Sequence, residues 1–153
     1  GMECRPLCID DLELVCRHRE AMFREAGRDA LTLAAMQDPF RDWLLPRLAD
    51  GSYFGWVMEE GGAPLAGIGL MVIEWPPHPS HPLQDKRGYI LNLYVDPSHR
   101  ERGIGQALMN RAEAEFAERG IAFAVLHATE MGQPLYARMG WSPTTEMSKP
   151  IAG

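Results

Sequence analysis

Val95-Asp96-Pro97-Ser98-His99-Arg100-Glu101-Arg102-Gly103-Ile104-Gly105 joins two segments of opposite hydrophobic pattern. Upstream, Gly88 to Val95 is rich in branched and aromatic residues and reads as a strand. Downstream, Ile104, Leu108, Ala112 and Phe116 recur four apart and predict a helix over 104–119, closed by the cation of Arg119 and by Gly120. Ile121 to Ala128 is then nearly continuously apolar, as expected of a buried strand. Strand, helix and strand make a βαβ unit, whose right-handed crossover puts the two strands parallel in one sheet.

The turn itself has the chemistry of an anion site. Pro97 ends the strand, and Gly103 and Gly105 have no side chains to hold a ligand away from the backbone. The first amides of the helix point outward without partners and carry a partial positive charge. Arg100 and Arg102 add two cations. Two better-known phosphate motifs fail on spacing. A dinucleotide fingerprint needs a third glycine where Leu108 stands, and no Gly-Lys-Ser/Thr is present for a P-loop.

Outward from this unit, Glu3 to Leu7 reads as a short strand. Asp10 and Asp11 can cap a helix with Leu12, Val15, Cys16, Arg19, Met22, Phe23 and Ala26 on one face and Gly27 as its stop. Asp38 and Pro39 read as the cap and first residue of a second helix with Phe40, Trp43, Leu44 and Leu48 on its apolar face, bent or shortened at Pro46. Tyr53 to Glu59 and Pro64 to Glu74 form a hairpin around Glu60-Gly61-Gly62-Ala63. Pro76, Pro77, Pro79 and Pro82 make 75–87 a loop. A short helix over 131–139, stopped by Gly140, and a strand over 141–148 complete the pattern.

The chain has 153 residues, 46% hydrophobic and 24% charged, the balance of one domain able to bury a core; with Gly1 ahead of Met2 taken as a tag remnant, that domain is 2–153. A net charge of -6 argues against nucleic acid as a partner. No stretch reaches the ~20 apolar residues of a membrane span, and Met2-Glu3-Cys4-Arg5 lacks the order of a signal peptide, so a cytoplasmic location is expected. Cys4, Cys8 and Cys16 match no paired metal-ligand spacing and are expected to be reduced thiols, with no metal site.

The segment resembles the RxxGxG acetyl-CoA-binding motif of the GCN5-related N-acetyltransferase (GNAT) family, here Arg100, Gly103 and Gly105 after Leu93-Tyr94-Val95-Asp96-Pro97. The later stretch Leu135-Tyr136-Ala137-Arg138-Met139-Gly140-Trp141 is similar to the family's tyrosine helix and Gly-Phe, with Trp for Phe. The resemblance covers most of the chain and implies an α/β fold of GNAT type: a mixed central sheet with splayed parallel strands and about four helices. It implies an N-acetyltransferase that moves an acetyl group from acetyl-CoA, as co-substrate, directly to a primary amine. The alternative is a non-catalytic acyl-CoA-binding sensor.

Residue by residue, the resemblance implies that the amides of Arg100, Glu101, Arg102, Gly103, Ile104 and Gly105, with Gln106, hold the pyrophosphate of the coenzyme. The backbone of Leu93, Tyr94 and Val95 would pair with the pantetheine arm, with a β-bulge aiming an amide at the thioester carbonyl. Tyr136 matches the tyrosine beside the coenzyme sulfur, which implies a general acid that stabilises or protonates the departing thiolate. Thr129 stands where relatives often have Asn, a position that implies a coenzyme contact, and Gly132 where they have Ala; Thr129 can still donate a hydrogen bond or cap the short helix.

The general base is not named by the sequence. Glu74, His78 and His81 are candidates by position, and Asn92 occupies the place of a common family Glu; it cannot act as a base but can orient a water or the acceptor. His18, Arg19, Met22 and Phe23 on the first helix, with Trp75, are candidate acceptor contacts. The acceptor stays open among small-molecule and peptide amines, as does pairing into a homodimer.

Overall fold

A computed structural model describes residues 1–152. Five strands, β1 (Met2–Pro6), β2 (Phe54–Glu60), β3 (Ala63–Glu74), β4 (Lys86–Val95) and β5 (Ala124–Leu126), form one sheet in chain order. Every neighbouring pair is antiparallel except β4 and β5, which run parallel from Gly88 opposite Ala124 to Ile90 opposite Leu126. The helices α1 (Leu12–Glu25) and α2 (Ala30–Asp50) cover one face, α3 (Ile104–Glu118) covers the other, and α4 (Gln133–Arg138) follows β5.

Packing explains why the sheet accepts these helices. On the α3 face, Ile104, Leu108, Met109, Ala112 and Phe116 are buried against Met58, Ala66, Ile68, Leu70 and Ile90. The four-residue recurrence seen in the sequence is thus the core stripe of α3. Gly88 is glycine because a Cβ there would lie 2.8 Å from the Phe116 ring. On the opposite face Val15, Phe40, Leu44, Leu48 and Tyr53 form a second cluster. The hairpin turn is Gly61-Gly62 at φ 59° and 81°, the pair of left-handed residues that a two-residue turn of this hand requires.

Several elements differ from the sequence reading. The second helix starts at Ala30, capped by the Asp29 carboxylate, which accepts from Thr32 N at 3.0 Å; Asp38 is not its cap. Pro39 and Pro46 both lie inside it. Residues 30–37 are mostly good helix formers, and the burial of Leu33, Phe40, Leu44 and Leu48 offsets the missing donors. The last strand of the βαβ unit is three residues long and only half-buried, because β4 is its single neighbour. No strand forms over 141–148: Pro143 lacks a donor, and Trp141 instead donates its backbone N–H to Tyr136 O (2.9 Å) and its indole N–H to Glu113 (3.1 Å).

The 75–87 loop is built around His81, which is 1% exposed. Its Nδ1 lies 3.1 Å from Gln84 O, and its Nε2 accepts from Arg87 Nε at 3.2 Å. Gln84 then ties the loop to the chain beyond α3, donating to Gly120 O (2.6 Å) and accepting from Ala122 N (3.0 Å).

His18 on α1 is buried, with its ring 5.2 Å from that of Tyr94 and against Gly67, where an added Cβ would lie 3.2 Å from Nδ1. Burial, and then the nearby Arg17, pull its pKa down from 6.5 to about 4. The folded state therefore prefers the neutral ring, so this contribution to stability is complete above pH 6.5 and disappears as the pH falls towards 4. Urea unfolding across that window should show a loss of up to about 3 kcal/mol that His18→Leu removes.

Candidate active site

Beyond Ile90 and Leu126 the two parallel strands part, since β5 ends while β4 runs on to Val95. The gap opens into a cleft of about 970 Å³. Leu93, Tyr94 and Val95 line one side, and Ile104, Gly105 and Gln106 at the head of α3 line another. Thr129, Met131, Leu135 and Tyr136 face them, and Met22, Glu25 and Ala26 of α1 close the mouth.

The turn is braced from within. Asp96 accepts from Ser98 N (3.0 Å) and from its hydroxyl (2.7 Å), holding the single helical turn Pro97–His99. Arg100 does not point freely at the cleft. Its Nε donates to Val95 O at 3.0 Å, its Nη2 lies 2.8 Å from a Glu25 oxygen, and its plane sits over the Tyr94 ring at 5.3 Å. Burial, and then Glu25, push the Tyr94 hydroxyl up to about 12. Arg102 bridges to Glu60 on β2 at 3.2 Å and does not line the cleft.

Glu101 and Gly103 both take left-handed backbone, φ 63° and 77°. A Cβ at Gly103 would meet nothing within 4 Å, so the space above this residue is open. The first intrahelical bond of α3 runs from Ala107 N to Gly103 O (3.0 Å), which leaves the amides of Ile104, Gly105 and Gln106 without helix partners. Those three residues line the cleft.

A β-bulge lies at the level of the split. Gly67 pairs with Tyr94 and Gly69 with Leu91, so Asn92 and Leu93 together oppose the single residue Ile68. Asn92 adopts φ 58°, a strained conformation for a residue with a Cβ. Its side chain holds it there: Nδ2 donates to the Tyr53 hydroxyl at 2.8 Å, and Oδ1 accepts from Arg19 Nη1 at 2.7 Å. Gly69 makes room for this arrangement, since its Cβ would lie 2.0 Å from the Tyr53 oxygen. Asn92 is 4% exposed and both its polar ends are engaged within the protein, so its side chain fixes the bulge.

Tyr136 packs over Gly132, where a Cβ would be 2.8 Å from the ring; this accounts for glycine at that position. Burial raises its pKa, so the phenol stays protonated near neutrality. Thr129 caps the approach to α4, its Oγ1 accepting from Gly132 N at 3.2 Å.

Other candidates fall outside. Glu74 pairs with Lys86, six residues before Asn92 on β4, which is about 20 Å at ~3.3 Å per residue. Trp75 stands at the same end, under Arg87 at 4.6 Å, and His81 is sealed in its loop. His18 is a core residue. Met22 lines the cleft, whereas Phe23 and Arg19 lie beside the bulge. Tyr53, which holds Asn92, and Glu25 and Met131, which line the cleft, stand in no motif of the sequence. A Gly-x-Gly pair in a strand, Gly67 and Gly69, was the signal that large side chains approach the sheet there.

The family model "Acetyltransferase (GNAT) family" matches residues 15–141, and the chain belongs to this family. Its fold is that of an acetyl-CoA complex of a predicted acetyltransferase from Clostridium acetobutylicum, at TM-score 0.89 and 24% identity over 99% of this chain and 96% of the other. The PaiA N-acetyltransferase of Thermoplasma acidophilum, solved with coenzyme A, matches at TM-score 0.74 and 19% identity over 96% and 93% of the two chains. An aminoglycoside acetyltransferase from an uncultured soil metagenomic sample matches at TM-score 0.72 and 21% identity over 99% of both. No curated protein sequence matches the chain.

If Asn92 and Tyr53 hold the bulge, Tyr53→Phe strands a buried amide donor. Chemical denaturation should register a loss of about 1 to 3 kcal/mol.

Proposed function

We propose that this protein is an N-acetyltransferase that carries an acetyl group from acetyl-CoA to a primary amine within one ternary complex. The observation that carries this reading is the set of unpartnered amides at Ile104, Gly105 and Gln106, opening into a cleft that runs along the free edge of β4.

The residues present fit the coenzyme. A diphosphate would accept from the amides at the head of α3, where the helix dipole favours negative charge and the bare Cα of Gly103 lets it approach. Arg100 acts mainly as a brace, through Val95 and Glu25, and lends its charge from there. The backbone of Leu93 to Val95, freed from β5, offers the pantetheine arm a strand edge. The bulge turns the amide beside Asn92 out of the ladder and so provides a donor for the thioester oxygen as negative charge builds on it.

Attack by the amine nitrogen on the thioester carbon forms the C–N bond, and the C–S bond then breaks. The Tyr136 hydroxyl can donate to the departing sulfur. A thiol has a pKa near ~8.5 and an unperturbed phenol near ~10, so with its pKa raised further Tyr136 stabilises the thiolate by a hydrogen bond more readily than by complete proton transfer. No carboxylate or free imidazole among the earlier base candidates stands at the bulge, and the ammonium proton is assigned to water. Holding both reactants side by side supplies most of the acceleration, on the order of 7 to 11 kcal/mol. The locked Asn92, which leaves the bulge without a side-chain base, favours the sensor as the second reading.

Release of free thiol from acetyl-CoA over a panel of primary amines separates the two. Turnover above the hydrolysis background supports the transferase; tight coenzyme binding with none supports the sensor.

Gly103→Glu places a carboxylate in the open space of the turn. It should weaken coenzyme A binding by at least a hundredfold in a calorimetric titration, while the left-handed backbone strain costs only about 1 to 2 kcal/mol of stability. Tyr136→Phe should lower kcat about tenfold or more with little change in acetyl-CoA affinity; an unaltered kcat would leave Tyr136 as a packing residue.

A further inference from the structure

Arg19 is a half-buried cation with no carboxylate partner among the described residues. Its Nη1 donates to Asn92, a neutral amide, and the rings of Phe23 and Phe40 flank the guanidinium at 4.9 and 4.6 Å. Nε is sealed from solvent and has no hydrogen-bond partner. Nη2 is also unpartnered but, unlike Nε, is not sealed from the surface. Burial pulls the pKa of the group down. Arg5, Arg24, Arg41, Arg100, Arg102 and Arg119 each bridge to an acidic side chain, and Arg47, Arg87 and Arg111 lie over aromatic rings without one, but among the described arginines it is Arg19 that leaves a sealed nitrogen unpartnered.

A half-buried guanidinium is costly to hold without an anion, and its fork of donors matches the two oxygens of a carboxylate. The location gives the feature a purpose. Arg19 touches Asn92, the bulge residue next to Leu93, and lies one helical turn before Met22, which lines the cleft. An anion taken up here would sit close to the carbonyl that the acceptor nitrogen attacks.

We propose that Arg19 is the carboxylate-recognition residue of the acceptor site, and that the acceptor is a compact amino acid whose amine lies only a few bonds from its carboxylate. This rests on the transferase reading above and narrows its acceptor class. Polyamines and aminoglycoside-like polycations would bring their positive charge against an uncompensated guanidinium and are disfavoured.

Binding of the product side tests the assignment without requiring turnover. Coenzyme A-saturated protein is titrated calorimetrically with N-acetylglycine, N-acetylalanine and N-acetylmethionine, and in parallel with the primary amide of each. The acids should bind at least tenfold more tightly than the amides. Arg19→Gln should abolish that ratio, and Arg19→Lys should retain part of it, each variant being titrated at its own saturating coenzyme A so that any loosening of the bulge held through Asn92 affects acid and amide alike. A merely structural Arg19 would not set the ratio of acid to amide. Equal binding of acid and amide, survival of the preference in Arg19→Gln, or no saturable binding of any of the three acids would overturn the carboxylate assignment alone. Failure of coenzyme A itself to bind the parent protein would overturn both it and the reading on which it rests.

Discussion

The site depends on an interruption in the sheet. From Gly88 to Ile90, β4 is paired on both sides; beyond it, β5 has ended and one edge of β4 carries free amides and carbonyls. An open edge inside a fold invites closure by any available strand. It is kept open here by a bulge that twists β4 away, and the bulge is held by polar contacts: Arg19 to Asn92 to Tyr53, with Gly69 supplying the space. These four residues come from α1, β4, the start of the hairpin and β3, so the site is tied to the packing of both halves of the chain.

The second wall is secured separately. Arg100 joins the end of β4 to α1 through Val95 and Glu25, and Thr129 and Gly132 set α4 so that Tyr136 overhangs the cleft. The amides of Ile104, Gly105 and Gln106 stay free because the nearby acceptor is occupied: the Asp96 carboxylate is engaged by Ser98, and Gly103 contributes no side chain. The proposed anion site is compatible with a net charge of -6 because main-chain dipoles act over a few ångströms, within which the overall charge matters little.

What could be read from the sequence follows from the range of each interaction. The helix over Ile104 to Arg119 and the hairpin around Gly61-Gly62 were legible because local periodicity and turn stereochemistry determine them. The turn and Tyr136 were legible as a resemblance, which the family match from 15 to 141 bears out for the fold and the family. The start of α2 at Ala30 was not, because tertiary burial of Leu33 and Phe40 overrides two prolines that look like boundaries. Nor is the fate of Asn92: its position in the strand leaves it able to orient a water or the acceptor, while its partners Arg19 and Tyr53 lie 73 and 39 residues away in the chain. Glu74 and Trp75 were misplaced for a similar reason, since only the register opposite Lys86 reveals how far they stand from the split.

The claim at the centre is that main-chain donors at the head of α3 hold the diphosphate of acetyl-CoA. Amide-resolved NMR of the ¹⁵N-labelled protein during an acetyl-CoA titration tests it directly. The account predicts saturable binding with the largest downfield shifts at Ile104, Gly105 and Gln106, and slowed hydrogen exchange along Leu93 to Val95. Saturable binding that leaves those three amides unmoved, or no binding at millimolar ligand, would contradict it.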